Sequence, residues 1–124
     1  MSESPEMAKF FHNLTPAQHE RLSILLEELG EAAQAIGKIL RHGLDSHNPV
    51  IDDGSSNRSM LEKEIGDVFA AVSMLTAASD LDRGSIESAR RWKIEKIQRC
   101  THHQPRISGP PGAEEALREE NARL

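Results

Sequence analysis

The chain has 124 residues and a mass of 13.8 kDa, with 37% apolar, 28% charged and 3% aromatic residues and a formal net charge of −5. That is the size of one domain, and such a chain can bury most of its apolar surface without staples. The only aromatics are Phe10, Phe11, Phe69 and Trp92, which argues against a β-sandwich or barrel and against stacking platforms for single-stranded nucleic acid. The acidic balance suits neither a nucleic-acid polymer nor an anionic membrane, but a divalent cation can reverse the local sign for a phosphate substrate. A lone cysteine, Cys100, excludes an intrachain disulfide and a multi-cysteine metal site. No apolar run approaches a membrane span and no secretory h-region is visible, so the expectation is a soluble, cytoplasmic protein.

Met7, Phe10, Phe11 and Leu14 suggest a short helix or a docked arm. Thr15-Pro16-Ala17-Gln18 then combines an N-cap threonine, proline at N1 and a glutamine that completes a capping box. Leu22, Leu25, Leu29, Ala32, Ala33, Ile36 and Leu40 follow at helical spacing, and Gly43 supplies the stop. A long helix is predicted over about 16–41. Residues 43–58 form a polar loop rich in turn residues. Ser59-Met60-Leu61-Glu62 reads as a second capping box opening a helix over about 60–79. That helix is almost wholly apolar after residue 67, which predicts burial on most sides. Asp80 to Gly84 breaks the chain, and a basic amphipathic helix follows over about 85–100. Residues 105–112 cannot continue a helix, so 1–104 reads as the domain and 105–124 as a Pro/Gly linker and charged tail. The fold class is all-α, a bundle whose apolar excess predicts a core shared across a homo-oligomer.

The acidic residues that interrupt the apolar faces carry the chemistry. On the first helix, Glu28 and Glu31 lie about 60° apart around the axis, within a row that continues through Ile24 and Ala35. Glu27 falls nearer the polar side. On the second, Glu64 and Asp67 sit at the same i, i+3 spacing within the row Met60, Ala71, Met74 and Ala78. Carboxylates on half-buried faces are costly unless compensated. Lysines and arginines of the third helix could supply that charge, or divalent cations could. Ligation by oxygen alone suits Mg²⁺ or Mn²⁺. A plain solvated helix face is the bland alternative. A di-iron carboxylate bundle would need Glu-x-x-His, which the chain lacks.

Glu27-Glu28-Leu29-Gly30-Glu31 followed by Glu64-Ile65-Gly66-Asp67 resembles the E-E-x-x-E … E-x-x-D signature of MazG-like nucleoside triphosphate pyrophosphohydrolases. The resemblance covers about residues 15–100 and looks most like small single-domain phage and bacterial members. It implies a MazG-like helical bundle acting as a homodimer or dimer of dimers. It implies a Mg²⁺ site, with Mn²⁺ as a possible substitute, on Glu28, Glu31, Glu64 and Asp67, with Glu27 as a further ligand or an acid/base that orients water. These five acids are the expected catalytic set. The implied reaction converts a nucleoside or deoxynucleoside triphosphate to the monophosphate and pyrophosphate, as nucleotide-pool house-cleaning. Basic residues should neutralise the outer phosphates, and the candidates are Lys38, Arg41, Arg90, Lys93 and Lys96, with Lys93 first among those on the third helix. The same basic run could instead be a solvated face paired with Glu87 and Glu95. The competing class is a non-catalytic helical oligomerisation or nucleotide-binding regulatory module.

Overall fold

A computed structural model describes residues 12–47 and 54–107 of the chain. The suggested N-terminal arm up to Phe11, the centre of the 43–58 loop and the charged tail lie outside those residues. Among the described residues the protein is all-helical: α1 spans Pro16–His42, α2 Asn57–Ala77 and α3 Arg83–Cys100. The chain divides into two compact units, Met1–Asp80 and Leu81–Leu124. The first holds α1 and α2, the second α3.

The start of α1 follows from its sequence. Thr15 Oγ1 accepts from the Gln18 backbone N–H at 3.1 Å, and Gln18 Oε1 accepts from the Thr15 N–H at 3.0 Å. The helix ends at Gly43, whose φ of 89° requires glycine and whose N–H donates to the Ile39 carbonyl at 2.7 Å. The start of α2 differs from expectation. Ser56, not Ser59, is the N-cap, and Ser59 occupies N3. The two serines cap each other through Ser59 N–H to Ser56 Oγ at 3.1 Å and Ser56 N–H to Ser59 Oγ at 2.9 Å. A serine hydroxyl does here what a longer Glu or Gln side chain does in the usual box, so the helix begins three residues early.

The first unit is an antiparallel helical hairpin. At the loop end, the Asn57 and Arg58 N–H groups donate to the Ser46 and Leu44 carbonyls at 2.8 Å each. At the far end, Arg21 near the start of α1 and Gln18 both donate to Asp80 just after α2, with Arg21 Nη2 at 3.2 Å from Oδ1. The Arg21 guanidinium holds the Asp80 carboxyl below the usual carboxylate range.

The faces that meet are not the leucine-rich ones. The buried apolar residues are Ala32, Ala35, Ala71 and Leu75, with Glu64 buried among them. These fall on or beside the two rows that carry the acids. Much of the leucine stripe of α1 is left open: Leu22, Leu29, Ile36 and Leu40 are exposed, Leu40 at 82%, whereas Leu25 is half-buried and Ala32 buried; outside the stripe Leu26 is 73% exposed, and Phe69 on α2 68%. Among the described residues of the first unit, these exposed apolar side chains are not covered by the facing helix.

In the second unit, Asp82 caps α3 by accepting from the Ser85 N–H at 2.8 Å. No α3 residue is buried. Trp92 is exposed, with the Arg99 guanidinium over its ring at 5.5 Å. Cys100 is a free, exposed thiol. No helix among the described residues is long and apolar enough to cross a membrane.

Candidate metal centre

Close packing of α1 on α2 through alanines brings the two i, i+3 acid pairs face to face. Glu28 and Glu31 from α1 and Glu64 and Asp67 from α2 each place a carboxylate oxygen so that all lie within 4.8 Å of one another. Glu64 is buried and Glu28 and Asp67 are half-buried. Ala32, Ala35 and Ala71 are buried beside the acids, and small side chains at a helix crossing permit close approach of the two helices.

The local electrostatics are unfavourable as they stand. Burial first, then the charges of Glu31, Asp67 and Glu64 together with a hydrogen bond to Glu31, push the Glu28 carboxyl above the ordinary glutamate range. Glu28 Oε2 and Glu64 Oε2 are buried with no hydrogen-bond partner. Orphaned buried carboxylate oxygens are rare in folded proteins, and a bound cation is one way to satisfy them, beside an ordered water or a proton. The donor set is hard oxygen throughout, which fits Mg²⁺ or Mn²⁺ better than softer metals.

Among the described residues, one cationic side chain pairs with the cluster. Lys63 Nζ lies 2.9 Å from Asp67 Oδ2 and 3.6 Å from Glu64 Oε1. Its ammonium is held above the ordinary lysine value, chiefly by the hydrogen bond to Asp67. The cluster opens into a cleft of about 330 Å³ between the helices, lined by Glu31 and Glu64 at one side and by Gln34, Lys38, Asn57 and Lys63. A shallower groove continues along α1 past Gln34 and Lys38 to Gly37 and Arg41.

Of the expected site residues, the structure gathers Glu28, Glu31, Glu64 and Asp67 into one group. Glu27 is exposed and lies outside that group. Lys38 lines the cleft and Arg41 the groove beyond it. On α3, Arg90 is engaged with Glu87 at 3.1 Å, while Lys93 and Lys96 are exposed. The expected pairing of that basic face with Glu87 is present for Arg90 and Arg91. Sequence reasoning passed over Lys63 and Gln34. Lys63 stands four residues before Asp67 and Gln34 three after Glu31, spacings that place each beside an acid on a helix.

The geometry, then, is an oxygen-only acidic centre opening on a polar cleft with a cation inside it. No curated protein and no solved structure matches the chain. Residues 17–104 match the family described as the MazG nucleotide pyrophosphohydrolase domain, a span that includes all of the clustered acids and the cleft. The chain belongs to the MazG nucleotide pyrophosphohydrolase family.

Proposed function

We propose that the protein hydrolyses nucleoside or deoxynucleoside triphosphates to the monophosphate and pyrophosphate in a Mg²⁺-dependent reaction. The observation that carries this is the meeting of Glu28, Glu31, Glu64 and Asp67 with two buried, unpartnered oxygens among them. These four would hold the metal. Bound there, a divalent cation supplies charge neutralisation, phosphate orientation and a more acidic water.

The chain's own groups do the rest. Lys38 and Arg41 lie along the cleft and groove leading away from the acids, where they meet the outer phosphates and stabilise the leaving group. Lys93 and Lys96, with Arg90, are further phosphate contacts on the family resemblance alone. Glu27, exposed beside Glu28, orients the attacking water and accepts its proton. The water oxygen bonds to the α-phosphorus, the bond from that phosphorus to the bridging oxygen breaks, and pyrophosphate departs with the electron pair. The exposed leucines of α1 and the exposed Ile65, Phe69 and Met74 of α2 support a homo-oligomer, a homodimer or dimer of dimers, that covers them. House-cleaning of the cytoplasmic nucleotide pool is the role this reaction serves.

The test is product analysis across a panel of ribo- and deoxynucleoside triphosphates in ¹⁸O-labelled water with Mg²⁺. Label in the monophosphate, with unlabelled pyrophosphate, is the expected outcome. Label in pyrophosphate, or release of orthophosphate, would refute attack at the α-phosphorus. No turnover with any nucleotide, from protein that still binds metal, would favour a binding module.

A further inference from the structure

We infer that Lys63 is the resident cation of the metal-free acidic centre, and that metal binding releases its ammonium into the cleft, where it grips the phosphate chain. Lys63 here acts on the metal site proposed above and adds a phosphate ligand to it. Three observations converge on this residue.

Its Nζ bridges one carboxylate of each α2 acid, 2.9 Å from Asp67 and 3.6 Å from Glu64. No other ion pair among the described residues reaches the four acids. A cation in that position answers part of the charge that a metal would otherwise answer, so the two compete for the same carboxylates.

The pair is easily broken. The Lys63 side chain is 63% exposed, and exposed ion pairs are weak. The order is also the poorer one for a helix, with lysine preceding its acid at i, i+4. Helix stability therefore gives little reason for this contact. A dication held by these carboxylates would repel the ammonium and compete with it for their charge.

The released ammonium has a place to go. Lys63 lines the same cleft as Lys38 from the facing helix, and its four-carbon stem keeps the charge there after it leaves the carboxylates. A triphosphate in the cleft would then meet a cation from each helix. Metal and phosphate binding become coupled through one side chain: each favours the state in which Lys63 has left the acids.

The test uses the full chain as wild type, Lys63→Met and Lys63→Arg. Mn²⁺ is titrated calorimetrically, and inorganic tripolyphosphate is then titrated at saturating Mg²⁺. Lys63→Met should bind Mn²⁺ about three- to tenfold more tightly, having lost a competitor held by one or two exposed pairs. It should bind tripolyphosphate several-fold more weakly, and Lys63→Arg should stay near wild type in both. A merely structural lysine would not move the two affinities in opposite directions. Mn²⁺ affinity unchanged or weakened in Lys63→Met, or tripolyphosphate binding indifferent to it, overturns the inference and leaves the metal site standing. No Mn²⁺ binding by the wild type overturns the metal site itself, and the role of Lys63 with it.

Discussion

Replacing Ala71 with leucine tests whether the acidic centre depends on the close approach of α1 and α2. Ala71 is 2% exposed, and the other alanines at the crossing, Ala32 and Ala35, are 6% and 9% exposed. There is no room for three more carbons without moving a helix. Helix axes pack at about 8–10 Å, with small contact residues at the short end, so a leucine here should part them by about 1–2 Å. Functional constellations tolerate only about 0.5 Å. The four carboxylate oxygens, now within 4.8 Å, would separate beyond what one ion spans. Overpacking should cost about 1–3 kcal/mol, or about 4–12 °C in melting temperature for a domain of this size. Mn²⁺ affinity should fall by about tenfold or more. Circular dichroism measures the melt and calorimetry the metal, with Ala70→Leu on the exposed side as the control that changes neither. An Ala71→Leu protein that is destabilised but binds Mn²⁺ like wild type would refute the dependence of the site on this packing.

Other substitutions probe separate parts of the structure. Leu75 is 0% exposed, so Leu75→Ala should lower the urea midpoint by the equivalent of about 2–5 kcal/mol at unchanged slope; a loss well under 1 kcal/mol would mean the hairpin is not packed as described. The raised Glu28 carboxyl favours the neutral form, so its stabilising contribution is fully present below the ordinary glutamate value and disappears as pH rises through the raised one. The melting temperature of the metal-free protein should fall across that window, and Glu28→Gln should flatten the profile, raise the metal-free melting temperature near neutrality and weaken the rise that Mg²⁺ produces. Asp80 behaves oppositely, since its stabilisation is lost only as pH falls through its lowered value, which keeps the two transitions apart. Sedimentation should give a dimer or larger species, and Leu26→Lys combined with Phe69→Lys should dissociate it; a monomeric wild type would leave the open apolar faces unexplained.

Much of this was legible in local pattern. Thr15, Pro16 and Gln18 specify the start of α1 because a capping box needs only neighbours in sequence. The two i, i+3 acid pairs were legible for the same reason: helical spacing fixes which side chains share a face. Which faces meet was not. The leucine stripe of α1 is the more hydrophobic, but the hairpin closes through Ala32, Ala35, Ala71 and Leu75 beside the acids. Amphipathicity reports that a face is apolar, not which neighbour meets it, so the pattern alone does not say which of two adjacent faces the hairpin closes on. Lys63 was hidden for a related reason. A lysine four residues from an aspartate is commonplace on a solvated helix, and only the arrival of α1 turns that pair into part of an acidic centre.

The most direct test of the central claim is pyrophosphate release from mixed deoxynucleoside triphosphates by the wild type and by Glu64→Gln, each with Mg²⁺ and with chelator. Glu64 is the buried member of the cluster and carries one of its unpartnered oxygens, and glutamine keeps its shape while removing its charge. Release by the wild type that requires Mg²⁺ and disappears in Glu64→Gln is the result predicted here. Release that survives the chelator, or that Glu64→Gln retains in full, would contradict a metal-dependent reaction centred on these four carboxylates.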